Sequence, residues 1–214
     1  MLFNLVIKDF IIAKKYLVFM LVFAIVGPIF ITSKLELNNG GFISFVVTAL
    51  YSLYILFNTV SMSEDKYKGS ALLCATPYTR SSLVKAKYLF ICVLFICSVA
   101  VYTMVSYIVP ELLGRLNITN IGLAFLIVTV FFGILIPVQF RFGFEKTKFI
   151  AFIVVFLTPF IFPPIVEWLE SNPSLNVTFS LPQMLRGWLP FVLTLLIGLV
   201  SMNISIRIYS RKNL

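Results

Sequence analysis

Apolar residues in this chain gather into six runs that contain no Asp, Glu, Lys or Arg: Tyr16–Ser33, Leu37–Ser63, Tyr88–Pro110, Leu116–Phe140, Phe149–Val166 and Gly187–Ile206. Each reaches the roughly 17 to 25 residues a helix needs to cross a bilayer core. One Lys, Arg or Asp at mid-span would add about 2.5 to 3.5 kcal/mol to insertion, so six charge-free windows define a polytopic membrane protein. The expected fold class is an all-α membrane protein with six transmembrane helices, at about 16–33, 42–63, 88–109, 119–140, 148–166 and 188–207, in a single transmembrane domain over 1–214. The polar segments between the runs are too short to form a separate soluble domain.

Residues 2–15 form an amphipathic lead-in. On a helix Asn4, Lys8 and Lys15 fall within about 40° of one another, while Leu2, Phe3, Ile7 and Phe10 lie elsewhere around it and Ile11 shares the polar face. An interfacial helix lying on the cytoplasmic leaflet is expected, with a plain extension of the first span as the alternative. Gly27-Pro28 interrupts the first run and no small-x-small cleavage site follows it, so the first span is expected to stay in the protein. Tyr16, Tyr88, Trp168 and Trp188 stand near span ends, where aromatic rings anchor at the headgroups.

Composition sharpens this picture. At 60% hydrophobic residues and a mean hydropathy of +1.04, too little polar surface remains to cover a soluble globule. Of the 17 basic residues, 14 fall on one side when the N-terminus and alternate loops are grouped (Lys8 through Lys212), against 3 on the other: Lys34, Arg115 and Arg186. By the positive-inside rule both termini are then cytoplasmic. The net charge of +9 follows from this topology and from attraction to anionic lipid, not from nucleic-acid binding, since no basic soluble domain exists to bind with.

The chemistry is restricted by what is missing. There is no histidine, hence neither the usual general base at neutral pH nor the commonest metal ligand. Cys74, Cys92 and Cys97 have no metal or disulfide spacing. No Gly-x-x-x-x-Gly-Lys-Ser/Thr loop is available to cradle nucleotide phosphates, so any ATP chemistry must come from a partner. The triplets Asn117-Ile118-Thr119 and Asn176-Val177-Thr178 match glycosylation sequons, which matter only on a eukaryotic secretory route. No charge stands deep in a span, where carboxylate relays of proton-coupled transporters are found. The polar content of the spans is hydroxyl and amide. Thr48, Ser52, Thr59 and Ser63 share a face of the second span with Asn58 at its flank, and Ser98, Tyr102 and Ser106 form an i, i+4, i+8 row on the third. These stripes read either as helix packing or as the wall of a translocation path for an amphipathic substrate.

The segment 64–87 after the second span is the most specific. Gly69 and Pro77 bound a short apolar stretch, because Gly breaks helices and the residue before Pro avoids the helical region. That stretch, Ser70 to Ala75, is a plausible plug for a groove on a soluble partner. Thr79 or Ser81 would then cap a helix running through Leu83 and Lys87 into the membrane. In the order Glu64, Gly69-Ser70, Leu72-Leu73, Pro77, Thr79-Arg80, Leu83-Val84 and Lys87, this segment resembles the permeases of type-2 ABC exporters. The six-span layout and amphipathic start extend the resemblance over essentially the whole chain.

The resemblance implies that 64–87 is a coupling loop docking on a nucleotide-binding subunit, with Lys68, Gly69, Ser70, Leu72, Leu73, Pro77 and Arg80 as its coupling residues. It implies that Glu64 is an acidic residue at the cytoplasmic gate, which in partial burial would pair with a Lys or Arg that the sequence alone does not name. It also implies an outer gate. Pro159, Pro163 and Pro164 obstruct a continuous fifth helix, and with Trp168 they fall where type-2 permeases have short re-entrant helices before the last span, though a plain outer loop fits as well. The chain is therefore expected to be a non-enzymatic permease subunit in a bacterial cytoplasmic membrane. Its expected partners are a soluble ABC ATPase that binds ATP and Mg, a second permease copy or a similar permease, and the lipid bilayer. The expected cargo is an amphipathic peptide, as in exporters for lantibiotic immunity or phenol-soluble modulins; lipid, polysaccharide or drug export, or a scaffold or sensor without an ATPase, are the alternatives.

Overall fold

The computed structural model describes residues 2–34, 40–67, 79–110, 113–171 and 183–211. They form six helices: α1 (Leu2–Lys34), α2 (Gly40–Lys66), α3 (Arg80–Ile108), α4 (Ile118–Phe142), α5 (Phe144–Ser171) and α6 (Gln183–Ser210). Among the described residues there are no strands. Long apolar segments fold this way because lipid offers backbone amides no hydrogen bonds, and a helix satisfies its own. Five of the helices, α1 to α4 and α6, are long and apolar enough to cross a membrane, and the chain is a multi-pass membrane protein.

Helix α2 is the axis of the bundle, packed by α1, α3, α4 and α5, while α6 lies against α3 and α4. Most of α2 is buried within the bundle, whereas α1 and α6 turn large apolar side chains such as Val18, Val22, Leu195 and Leu199 outward. Phe45 meets Tyr102 at 5.0 Å, Phe95 stacks on Phe125 at 4.8 Å and Phe57 meets Phe132 edge-on at 5.5 Å, so aromatic contacts tie α2, α3 and α4. Where helices approach most closely the side chains vanish. A Cβ added at Gly27 of α1 would overlap the Thr48 methyl group of α2, and one at Gly122 of α4 would stand 2.9 Å from the Phe191 ring of α6. Small residues at such crossings let backbones meet where no hydrophobic effect drives association.

Two expectations change here. The lead-in 2–15 is not a separate interfacial helix: α1 continues through Lys15 and Tyr16 to Lys34 as one helix of 33 residues. Its first turns are held in line with the span because Leu5, Val6, Asp9 and Ala13 are buried in the bundle and Phe10 packs on Phe90 of α3 at 5.0 Å. Likewise Pro159, Pro163 and Pro164 do not interrupt the fifth helix, since α5 runs from Phe144 to Ser171 through all three. Each proline removes one donor, leaving the carbonyls of Val155, Pro159 and Phe160 without their helical partner, but the turns on either side persist. No re-entrant helix occurs among the described residues, and 172–182 lie outside them.

Gly143 alone joins α4 to α5. Its φ of 89° lies in the region that glycine adopts without steric penalty. Its N–H donates to Gln139 O at 2.9 Å and its carbonyl accepts from Thr147 Oγ1 at 2.7 Å, so both groups at the joint are satisfied.

Candidate functional site: a charge cluster at the basic end

The ends of α2, α4 and α6 meet the starts of α1, α3 and α5 at the end of the bundle where most Lys and Arg gather. There the last turn of α2 delivers Glu64 between two lysines. Lys8 Nζ of α1 donates to Glu64 Oε1 at 2.7 Å, and Lys87 Nζ of α3 pairs with Glu64 Oε2 at 2.6 Å. Lys8 also lies 3.0 Å from Asp9 Oδ1, a carboxylate whose side chain is only 2% exposed. The four charges sum to zero. Their burial is tolerable for that reason, since an unpaired charge in such surroundings is strongly destabilising. Lys87 Nζ also stands 5.6 Å from the Phe57 ring centroid, a favourable cation–π distance.

The sequence reading expected a basic partner for Glu64, and the structure identifies two. Helical periodicity places Lys8 on a polar stripe of the lead-in and Lys87 at the opening of the third span, and gives Asp9 no partner. Asp9 was the available signal: it is the one acid in the first 35 residues, beside a lysine on an otherwise apolar stretch.

Thr79, the expected cap, begins α3: its side chain accepts from Ser82 N at 3.3 Å. Of the proposed coupling residues, Lys68, Gly69, Ser70, Leu72, Leu73 and Pro77 lie outside the described residues. Arg80 is described, and it reaches α6. Its guanidinium donates to Ser210 O at 3.0 Å and Tyr209 O at 3.4 Å, placing a cation on the last carbonyls of a helix, where the helix dipole favours it. Tyr88, the residue after Lys87 and about two turns along α3 from Arg80, makes the second α3–α6 tie. Its hydroxyl is 2.7 Å from Ser201 Oγ and 2.9 Å from Ser205 Oγ. Ser201 Oγ in turn donates to Gly133 O at 2.5 Å, the carbonyl that Pro137 leaves without its i+4 donor. A hydroxyl from another helix thus repairs the α4 ladder.

The candidate path residues are dispersed. Thr48, Thr59 and Ser98 donate to their own helix backbone, at Ser44 O, Ile55 O and Phe95 O. Tyr102 donates to Gly41 O at 2.9 Å, and Ser106 to Leu113 O at 3.2 Å; together they pin the α3–α4 connection against the start of α2. Ser52 and Ser98 share a largely apolar crevice of about 70 Å³ between α1, α2 and α3, while Asn58 faces a different cleft, toward α4 and α5. Of the outer-gate residues, Pro159 is half-buried and Pro164 exposed, both on α5, and the side chains of Pro163 and Trp168 are outside the description.

The charge cluster borders two cavities. One of about 40 Å³ lies between α1 and α3 beside Lys8 and Asp9. The other, about 90 Å³, opens between α2, α4 and the Gly143 joint, with Ser61, Glu64, Lys87 and Gln139 on its walls. Phe140 and Tyr209, whose rings are 4.8 Å apart, line both cavities.

Compared with protein families, residues 4–210 match the family described as ABC-2 family transporter protein. No curated protein matches the sequence.

Proposed function

This chain belongs to the ABC-2 family of transporter membrane proteins, and on that premise we propose that it is the permease subunit of an ATP-driven exporter. Two copies, or one with a similar permease, would pair with two ATPase subunits that bind ATP and Mg. The observation that carries this reading is where the segment between α2 and α3 is anchored. The described chain reaches Tyr67, three residues after Glu64, and resumes at Thr79 and Arg80, so the two ends of the segment are fixed by the charge cluster on one side and by the Arg80 contacts to α6 on the other.

A partner pressing on 67–79 would act on both at once. ATP-bound closure would favour one arrangement of the helices and hydrolysis would reset it, provided the ATPase binds the two arrangements with different affinity. Glu64 would serve as the gate at the cytoplasmic side, with both termini on that side of a bacterial membrane. The absence of charge in the middle of the runs speaks against an ion as cargo, and an amphipathic peptide fits a small permease with no large outer domain.

The test is to purify the tagged chain from its native membrane in mild detergent and weigh the intact complex. A two-plus-two assembly with an ATPase is expected. A clean oligomer with no nucleotide-binding subunit would refute the reading and favour a scaffold or sensor.

A further inference from the structure

A groove of about 160 Å³ lies between α3, α4 and α6, and the surface it presents is almost wholly apolar. Ile91 and Phe132 are buried in its walls, while Cys92, Leu195 and Leu199 stand exposed at its rim. The hydroxyls at its edges are spent elsewhere: Tyr88 bonds to Ser201 and Ser205, and Thr194 donates to Pro190 O at 2.7 Å. Apolar cavities of about 150 Å³ stay dry and accept apolar guests, so the natural filling of this groove is hydrocarbon. Two glycines help to keep it open. Unlike Gly27 and Gly122, neither is demanded by a close crossing, since a Cβ at Gly133 would stand 3.5 Å from Ser201 and one at Gly198 would stand 3.6 Å from the Thr129 methyl group, both ordinary contacts.

Depth and charge narrow the choice of guest. On α3 the groove begins at Tyr88, the first residue of a charge-free run, and on α6 it extends from Thr194 to Met202, a rise of about 12 Å. Half of a hydrocarbon core is about 15 Å, so the groove lies within one leaflet, on the basic side, with one end at the headgroups. Lys85 stands at that end. It is exposed, one turn before Tyr88, and seven residues from Cys92, which places the two within about 20° of one another on the helix and the lysine in line with the rim. It makes no ion pair with a described carboxylate. An apolar face of another helix would cover the rim and leave this cation without a counter-ion. A phospholipid offers an apolar chain and a phosphate in one molecule, at the spacing the leaflet already imposes.

We propose that this groove holds one acyl chain of an anionic glycerophospholipid from the leaflet at the basic end, with the lipid phosphate on Lys85. The lipid then completes the contact between α3 and α6 that Arg80 and Tyr88 begin. The site depends neither on the cargo nor on the ATPase.

The experiment titrates the delipidated full chain in mild detergent with dioleoyl phosphatidylglycerol or dioleoyl phosphatidylcholine and reads lipid adducts by native mass spectrometry. The first phosphatidylglycerol is expected to bind about fivefold more tightly than phosphatidylcholine, the worth of one lysine at a lipid phosphate. Lys85→Gln should erase that preference, whereas Lys146→Gln, an equally exposed lysine on α5 away from the groove, should keep it. Gly198→Leu, which fills the groove, should weaken both lipids alike, and Cys92→Phe blocks the rim should the glycine variant be unstable. A second readout locates the lipid. In the Cys74→Ser background Cys92 and Cys97 are the remaining thiols, and Cys97 lines a different crevice, toward α1 and α2. Phosphatidylglycerol should slow alkylation of Cys92 by N-phenylmaleimide and leave Cys97 unchanged. Equal binding of the two lipids, a preference that survives Lys85→Gln, or lipid binding unaffected by groove filling overturns the proposal. So does Cys92 protected in a lipid-free oligomer, which would identify a second copy as the occupant.

Discussion

Removing Glu64 and Lys87 together should cost less than the sum of removing each alone. The cluster contains Lys8 and Lys87 against Asp9 and Glu64. Glu64→Gln leaves two cations and one anion, a net +1 among groups with little water. Lys87→Met leaves the opposite imbalance. Breaking a buried pair by deleting one partner is worth about 3–5 kcal/mol; with Lys8 and Glu64 partly exposed, at 28% and 19%, screening puts each single variant at the low end, about 3 kcal/mol. In the double variant Lys8 and Asp9 remain as a neutral pair 3.0 Å apart, and a methionine packed on Phe57 replaces the buried ammonium. The coupling in the cycle should therefore be about 1–3 kcal/mol in favour of the double variant. At about 2–4 °C per kcal/mol for a chain of this size, each single change lowers the midpoint by roughly 6–12 °C, and the double change by less than the sum. Fluorescence-detected size-exclusion after a heating series reads this directly. Additive losses, or a Glu64→Gln midpoint equal to wild type, would show that these charges do not act as one balanced group.

Three further outcomes follow from the same contacts. Ser201→Ala should destabilise by about 1–3 kcal/mol, because it strands the Gly133 carbonyl, and adding Pro137→Ala should restore part of that loss by returning the missing N–H; a double variant no better than Ser201→Ala in the same heating assay refutes the repair. Gly27→Val and Gly122→Leu should each abolish a monodisperse peak on size-exclusion, since Thr48 and Phe191 already occupy the space, and a normal elution profile for either contradicts the crossings described. Changing Leu72 and Leu73 to Asp should eliminate copurification of an ATPase while membrane insertion, measured by carbonate extraction, is unchanged; intact ATPase coupling in that variant removes 64–87 from the docking role.

Much of this architecture could be read in one dimension because lipid imposes a simple rule: each of the six charge-free runs lies largely within one of the six helices, and the Thr79 cap lies where its neighbours require. Helical wheels were less informative about what a face touches. Tyr102 and Ser106 share a stripe with Ser98, as read, yet they bond to the Gly41 and Leu113 carbonyls, partners that no periodicity on α3 discloses. The lysines of Glu64 were hidden similarly, one 56 residues before it and the other on the far side of the coupling segment. Prolines misled for another reason. Pro159, Pro163 and Pro164 are strong helix breakers in water, where a freed carbonyl gains little by staying helical, whereas in a bundle the flanking turns have no better alternative.

The continuity of α1 makes bilayer thickness a variable of this protein. At 33 residues the helix is about 50 Å long against a hydrocarbon core of about 30 Å, and its tightest crossing is at Gly27, about 28 Å along the axis from Lys8. A tilt of about 5° around that crossing displaces the lysine by about 2.5 Å, comparable to the 2.7 Å that separates it from Glu64. Since helices tilt to match the membrane they occupy, thinner and thicker lipid mixtures would hold that ion pair with different strength, and reconstituted activity should be compared at matched acyl-chain length.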